Sequence, residues 1–345
     1  MAMFKMQEEG YRVSIDYFTG NIFPHSKTVN GIKKNFWPIT KPLFKKRHVW
    51  RRQYSWVHYL YNMFSPPDLT IINMSGHGSM YSFKLAKLLR EKRRSYIAII
   101  GGIHLSTEGA AKEYFQNAHH IIVHTEIQKN QMLQLETFKN LNIQVMPLGI
   151  DTKFFKPAAK GDSPIELLFV GRITRLKQIE ICLETVANIM ANQKRQVNLK
   201  IIGPISDDAY FIELKALVEK LQIARQVTFV GVVEQKDLVP YYQKANLLLL
   251  PSAHESFGMV MVEAMACGTP VGALIGAGGP DEIVADGING ILATKESFSK
   301  RILEFVQSEE MERKMRINAR RLVEQKWSLE QTEIAMRNSI NRVFS

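Results

Sequence analysis

The sequence predicts an α/β protein made of two doubly wound, parallel-sheet domains. Three observations predict it. From Asp68 onward, short apolar strands alternate with amphipathic helices, the order that builds a parallel sheet. The alternation lapses into loop chemistry from Pro147-Leu-Gly-Ile-Asp151 to Lys160-Gly-Asp-Ser-Pro164 and then restarts. A chain of 345 residues that is 46% hydrophobic and 23% charged has enough apolar surface for two cores.

Taken in order, Met3 to Phe18 reads as a short amphipathic helix, a turn at Glu9-Gly10 and a strand from Tyr11. No acidic residue follows between Asp16 and Asp68, while Lys33, Lys34, Lys41, Lys45, Lys46, Arg47, Arg51 and Arg52 are all basic. Trp37, Trp50 and Trp56 fall in the same stretch. Beyond Pro42, Leu43, Trp50, Tyr54, Val57, Tyr61 and Phe64 keep helical spacings of three, four or seven, and Lys45 to Arg47 lie mostly off that stripe. A basic amphipathic helix with interfacial aromatics suits an anionic membrane surface, so segment 33–61 is the candidate for that contact. The plainer alternative packs the aromatic stripe on a sheet and leaves the charges solvated.

The regular part of the first domain then has strands Asp68–Asn73, Tyr96–Ile100, His120–His124 and Ile143–Met146. Helices Tyr81–Lys92, Ala110–Asn117 and Glu126–Asn140 separate them, the last capped by Thr125. In the second, the strands are Glu166–Val170, Asn198–Ile202, Gln226–Val230, Asn246–Leu250 and Pro270–Ala273. The helices are Gln178–Asn192, Tyr210–Leu221, Lys236–Lys244, Met259–Cys267 and Pro280–Ala285. Helices fill the chain after Ile291. The expected boundaries are 1–155, 156–327, and a C-terminal helix within 328–345 that packs back on the first domain.

Charge is divided unequally. Of 45 Lys and Arg and 33 Asp and Glu, residues 1–160 hold 23 and 10, leaving 22 and 23 for residues 161–345. The whole basic excess therefore sits in the first half and points to an anionic partner. No apolar run approaches a membrane span, the N-terminus has no signal-peptide pattern, and Cys182 and Cys267 lie in apolar helical contexts that argue against a disulfide. These features predict a cytoplasmic protein, either soluble or peripheral on the inner face of a membrane.

The chemistry concentrates beyond the carboxyl ends of the second domain's strands, where open parallel sheets bind ligands. Asn246 to Leu250 reads as a buried strand ended by Pro251. A loop follows, then a helix from about Gly258 to Cys267 stopped by Gly268 and Pro270. A helix start there offers unpaired N–H groups to a phosphate. Glu255 and Glu263 are at most ~12 Å apart at the helical rise, the span needed to reach hydroxyls on both sides of a bound diphosphate. Spacing alone equally allows an acid favoured by the helix dipole and an exposed helical Glu. Arg172 and Lys177 flank the end of another strand and suit a diphosphate, as a fork and a point charge. Gly203 and Gly231 end two more strands and allow close approach of a ligand to backbone.

The segment from about 165 to 295 resembles the donor domain of retaining glycosyltransferases of the GT-B fold, family 4. The resemblance runs through Val170-Gly171-Arg172 and Lys177, Phe229-Val-Gly231, Pro251-Ser252, Glu255-Ser-Phe-Gly258 and Glu263-Ala-Met-Ala-Cys-Gly-Thr-Pro-Val271. It continues through Gly278-Gly279, Glu282, Asp286-Gly287 and Asn289-Gly290. It implies two Rossmann-like domains facing a cleft. It further implies that Arg172 and Lys177 neutralise a nucleotide's diphosphate beside Gly171, and that Glu255 meets the donor sugar. The backbone of Ser256, Phe257, Gly258, Met259 and Val260 would bind sugar and phosphate, and Glu263 would hold the ribose. The base would lie by Gly203 and Val233. In the first domain, His104 is implied beside the donor sugar in preference to His77. Two departures stand out. The first strand and its Gly-rich loop look absent or rebuilt, because residues 1–30 lack a Gly-Gly turn. Gln178 stands where a Gly usually follows the Lys.

The expected function is transfer of a sugar from a nucleotide-diphosphate sugar, UDP-sugar favoured, to a hydroxyl of a lipid-linked glycan or cell-envelope polysaccharide. Configuration would be retained, with no metal and no cofactor. Asp207-Asp208 reads as a helix cap. The alternatives are a non-catalytic module that binds a nucleotide sugar or a partner chain, and a sugar-nucleotide epimerase. Nucleic acid is not expected as a partner, since the aromatics sit at helical spacing rather than on a stacking sheet.

Overall fold

The computed structural model describes residues 6–40, 53–74, 80–101, 108–159, 164–193 and 195–345. The chain forms two compact units, Met1–Pro147 with Thr332–Ser345, and Leu148–Gln331.

The first unit carries two sheets. Strand β1 (Ser14–Thr19) pairs in parallel with β3 (Ile32–Pro38), and β3 pairs antiparallel with β2 (His25–Val29). The hairpin turns at Asn30-Gly31, both with positive φ (49° and 74°), the geometry that matches strand twist in a two-residue turn. The second sheet is parallel, in the order β4 (Leu69–Met74), β5 (Ser95–Ile100), β6 (His120–Val123), β7 (Ile143–Val145). Among the described residues no strand precedes β1; Met6–Glu8 forms a helical turn there. The hairpin was not anticipated from the sequence, although its Asn-Gly signal is present.

Pleating divides the parallel sheet's side chains between two cores. Ile72, Ala98, Ile100, Ile121 and Val123 face α2 (Met80–Glu91), α3 (Gly109–Gln116) and Phe138. Ile97, Ile99 and Ile122 face the opposite way, onto Met6, Met146 and Ile340 of the C-terminal helix Leu329–Phe344. That helix is tied to the unit by a hydrogen bond between Ser339 and His120 and by an ion pair from Arg337 to Glu9 at 3.3 Å. The helix after β6, α4 (Glu126–Leu133), is shorter than expected, and turns over 134–140 then seat the fully buried Phe138 in the core.

Helix α1 (Trp56–Phe64) departs most from expectation. Its inward face is polar: His58 and Asn62 are buried. His58 Nε2 is hydrogen-bonded to Asp16 Oδ2 (3.2 Å) and its Nδ1 to the Tyr81 hydroxyl (2.5 Å). Asn35 and Trp37 also donate to Asp16, at 2.7 and 3.0 Å. Burial works to raise the Asp16 pKa, but these donors outweigh it and hold the carboxyl below its usual range. The outward face carries Val57, Tyr61 and Phe64, three residues of the stripe expected to pack or to meet a membrane. Tyr54 precedes the helix, while Leu43, Trp50 and the basic residues 41–52 lie outside the described residues.

The second unit is one six-stranded parallel sheet between helices. The strands are β8 (Ile165–Val170), β9 (Val197–Ile202), β10 (Val227–Gly231), β11 (Leu247–Leu250), β12 (Val271–Leu274) and β13 (Gly290–Ala293), in the order β10-β9-β8-β11-β12-β13. Helices α5 (Ile179–Asn192), α6 (Asp208–Lys220), α7 (Val239–Lys244), α8 (Met259–Ala266), α9 (Gly279–Ile283), α10 (Phe298–Val306) and α11 (Glu309–Lys326) complete it. Leu247 to Leu250 are fully buried, as an unbroken apolar run in a central parallel strand requires. Asp207 accepts from the Tyr210 backbone N–H at 3.0 Å and caps α6.

Candidate functional site on the second unit

The loops after β8, β11 and β12 converge at the carboxyl edge of this sheet. The Ala253 backbone donates to the Leu176 carbonyl at 2.9 Å, joining the loop after β8 to the loop after β11. Glu255 N–H donates to Ala277, and Gly279 N–H donates to Glu255, both at 2.7 Å, so the glycine loop before α9 is laced to the same segment. Two glycines are required at that crossing. A Cβ on Gly278 would stand 2.8 Å from the Glu255 carbonyl, and one on Gly279 would overlap the Phe257 carbonyl. Asp281 fixes the loop by accepting from the N–H groups of Gly276 and Gly278, each at 2.8 Å.

This lacing brings Lys177 and Glu255 together. Their side chains form an ion pair, Lys177 Nζ to Glu255 Oε2, and are only 16% and 17% exposed. Ser252 donates to the same carboxylate across a long 3.5 Å. Arg172, five residues before Lys177, is exposed, and among the described residues no ion pair engages its guanidinium. Directly beyond Glu255, Gly258 takes a left-handed conformation (φ 87°) as the N-cap of α8. Phe257 is buried beneath the turn, Met259 and Val260 pack partly on the core, and Ser256 is half-buried.

The strand-end glycines form a second feature. Gly171 N–H donates to Ile202 and Gly203 N–H to Gly231, at 2.9 and 2.8 Å. Gly203 has φ 144°, and a Cβ there would collide with the Gly171 carbonyl. Close approach of backbone to backbone therefore demands glycine at 203, before any ligand is considered. Gln178 follows Lys177 with φ 47° and ψ 48°, a left-handed residue between a single 3₁₀ turn and α5. That conformation explains in physical terms why glycine suits the position.

Glu263 lies inside α8 rather than on its surface. It is buried, and it accepts from Gln235 Nε2 at 2.6 Å and from the Tyr242 hydroxyl at 2.7 Å. Burial raises its pKa, and the two donors offset part of that rise. The contact with Gln235, two residues beyond the half-buried Val233, ties that loop to Glu263. Gln235 and Tyr242 were not anticipated; they lie more than 20 residues from Glu263 in sequence, in segments whose local pattern reads as ordinary helix. His254 was missed as well. Its Nε2 is buried beside Glu255 with no hydrogen-bond partner among the described residues. His104 and His77 lie outside the described residues.

The chain is similar to known proteins in sequence and in fold. Residues 150–322, half of the chain, match the family model described as glycosyl transferases group 1. A D-inositol 3-phosphate glycosyltransferase of Mycobacterium sp. (strain KMS) is 36% identical over 192 residues, covering 52% of this chain and 42% of that protein. Another from Segniliparus rotundus is 34% identical over 182 residues, covering 50% and 40%. The chain thus spans less than half the length of the curated relatives it matches. Among solved structures, the sucrose-phosphate synthase of Thermosynechococcus elongatus superposes with a TM-score of 0.75 at 20% identity, over 98% of this chain and 90% of that one. Anabaena Alr3699/HepE in complex with UDP-glucose gives 0.69 at 20% identity, over 90% and 86%. These likenesses establish the fold as GT-B.

Proposed function

Because the chain belongs to the glycosyl transferases group 1 family, we propose that its second unit binds a nucleotide-diphosphate sugar and that the chain transfers the sugar to a hydroxyl acceptor with retention of configuration. The observation that carries this reading is the Lys177–Glu255 pair, held half-buried where three strand-end loops cross, at the start of α8. In the fold the ammonium and the carboxylate satisfy one another. A bound donor offers each a better partner: diphosphate oxygens for Lys177, sugar hydroxyls for Glu255.

The chemistry follows from charge. As the anomeric C–O bond breaks, negative charge grows on the leaving diphosphate and positive character on the sugar ring. Lys177, the exposed Arg172 and the N-terminal N–H groups of α8 are preorganised for the first. Glu255 offers its carboxylate to the sugar, and Glu263, with Tyr242 and Gln235 holding it, offers acceptor sites to a ribose. Because side chains and a helix terminus meet the leaving-group charge, the reading assigns no step to a metal. The structurally similar HepE is in complex with UDP-glucose, which favours a uridine donor here.

The test is release of free nucleotide from UDP-, GDP-, ADP- and TDP-sugars by wild type, Lys177→Ala and Glu255→Ala. Loss of one preorganised contact to developing charge lowers kcat by about 10²–10³-fold. Unchanged turnover in both variants sinks the assignment. Conversion of a lone donor to another sugar nucleotide would instead support an epimerase.

A further inference from the structure

The turn that presents Lys177 is anchored from a neighbouring helix. Lys177 ends a single 3₁₀ turn, Arg175–Lys177, which runs through Gln178 into Ile179, the first residue of α5. Within it, Lys177 N–H donates to Thr174 at 2.9 Å and Gln178 N–H to Arg175 at 3.1 Å. Hydrogen bonds of a 3₁₀ turn are poorly aligned, so these two give the turn little rigidity of their own. A charge that must meet a reacting group needs its position held to within about 0.5 Å by the groups around it.

Tyr210, in the first turn of α6, supplies that hold. Asp207 fixes its backbone by accepting from its N–H at 3.0 Å, and its side chain is buried. The hydroxyl accepts from the Ile179 backbone N–H at 2.6 Å and donates to Glu180. That N–H is one of the four that a helix start leaves without an intrahelical partner. At the other end of the turn, the Arg175 guanidinium lies over the same tyrosine ring, 5.4 Å from its centre. Further along α6, Glu213 accepts from Arg175 Nη1 and Nη2 at 2.8 and 2.6 Å, a fork that fixes direction as well as distance. Asp207 Oδ2 stands 3.8 Å from Arg175 Nε.

Arg175 and Ile179 lie two residues either side of Lys177, so both ends of its turn are tied to α6. A buried tyrosine with a satisfied hydroxyl is ordinary. Here its partners bracket the one lysine that pairs with Glu255 at the crossing of the strand-end loops. We propose that Tyr210, with Glu213 beyond it, is a positioning residue for Lys177, holding the turn so that the ammonium meets the diphosphate of a bound donor. The proposal rests on the functional reading given above and adds to it a residue that need not touch the donor.

The experiment is steady-state nucleotide release from whichever of the four sugar nucleotides wild type turns over fastest. Tyr210→Phe removes the hydroxyl and keeps the ring. It should lower kcat between about tenfold and 10²-fold, with KM within about threefold of wild type, since the misplaced contact is the one that strengthens as the bond breaks. Arg175 and Glu213 are each 57% exposed, and an exposed ion pair adds little to stability. Glu213→Gln should therefore keep the wild-type melting temperature while slowing kcat about threefold or more. In a Lys177→Ala background neither substitution should slow turnover more than about twofold further, because no ammonium is left to place. A purely structural role would multiply the two losses instead. If Lys177→Ala is slow while Tyr210→Phe and Glu213→Gln match wild type, or multiply its loss, the positioning role is overturned and the functional reading stands. Should Tyr210→Phe fail to fold, the Glu213→Gln cycle decides alone. Wild-type rates in Lys177→Ala, or no turnover by wild type, overturn both together.

Discussion

At Gln178 the chain holds a non-glycine residue at φ 47° and ψ 48°, and at Gly203 it holds a glycine for which no other residue fits. The two positions make opposite predictions. Left-handed backbone costs an L-residue about 1–2 kcal/mol, and glycine's extra chain entropy costs about 0.5–1 kcal/mol. Gln178→Gly should therefore leave stability unchanged or raise it by up to about 1.5 kcal/mol. Gly203→Ala drives a Cβ into the Gly171 carbonyl and should cost more than about 3 kcal/mol. Urea unfolding of both variants measures the pair, and a neutral Gly203→Ala would mean that the strand ends can separate freely. The resemblance singled out both positions, but their reasons are backbone angles and an interstrand clash. Neither is visible in a one-dimensional pattern.

Among elements, α8 shows what the sequence could and could not say. Strand, loop and helix from Asn246 to Cys267 were legible because an apolar run, a proline and a glycine punctuate them. The burial of Glu263 was not, because it depends on Tyr242 and Gln235 arriving from α7 and the turn before it. The inversion of α1 was hidden for the same reason: helical periodicity finds an apolar stripe but not which way it faces, and the partner that decides, Asp16, sits on a distant strand. Burial of Glu263 has a measurable consequence. Its folded pKa is raised above the ordinary 4.5, so the native state keeps this proton to higher pH than the unfolded chain does. Stability then falls as pH rises from 4.5 through the folded value. Glu263→Gln removes that component, so its stability relative to wild type should climb across the same window. Parallel curves for the two proteins, in urea titrations repeated from pH 4.5 to 8, would show that the carboxyl ionises in the fold without penalty.

Across the whole molecule, the division into two units separates what can be tested. The strand–helix alternation from Asp68 onward foretold both parallel sheets except for β13 (Gly290–Ala293), a four-residue edge strand at a point where only helices were expected to follow Ile291. The mixed three-stranded sheet stayed hidden because β1 and β3 pair in parallel across the intervening hairpin strand, an order that no local signal encodes. Both cysteines belong to the second unit. Cys182 in α5 and Cys267 at the end of α8 are fully buried, and burial raises both thiol pKa values, that of Cys267 to about 12. A thiol reagent at neutral pH therefore labels them only when this unit opens. A nucleotide that binds the closed unit and not the open one slows opening-limited labelling by a factor of 1 + [L]/Kd, about 100-fold at 100 Kd. Labelling of the two thiols by 5,5′-dithiobis(2-nitrobenzoate) should thus slow steeply in millimolar UDP, and Lys177→Ala should weaken the protection by removing a diphosphate contact. Labelling that ignores UDP, GDP, ADP and TDP alike would remove nucleotide binding from the second unit.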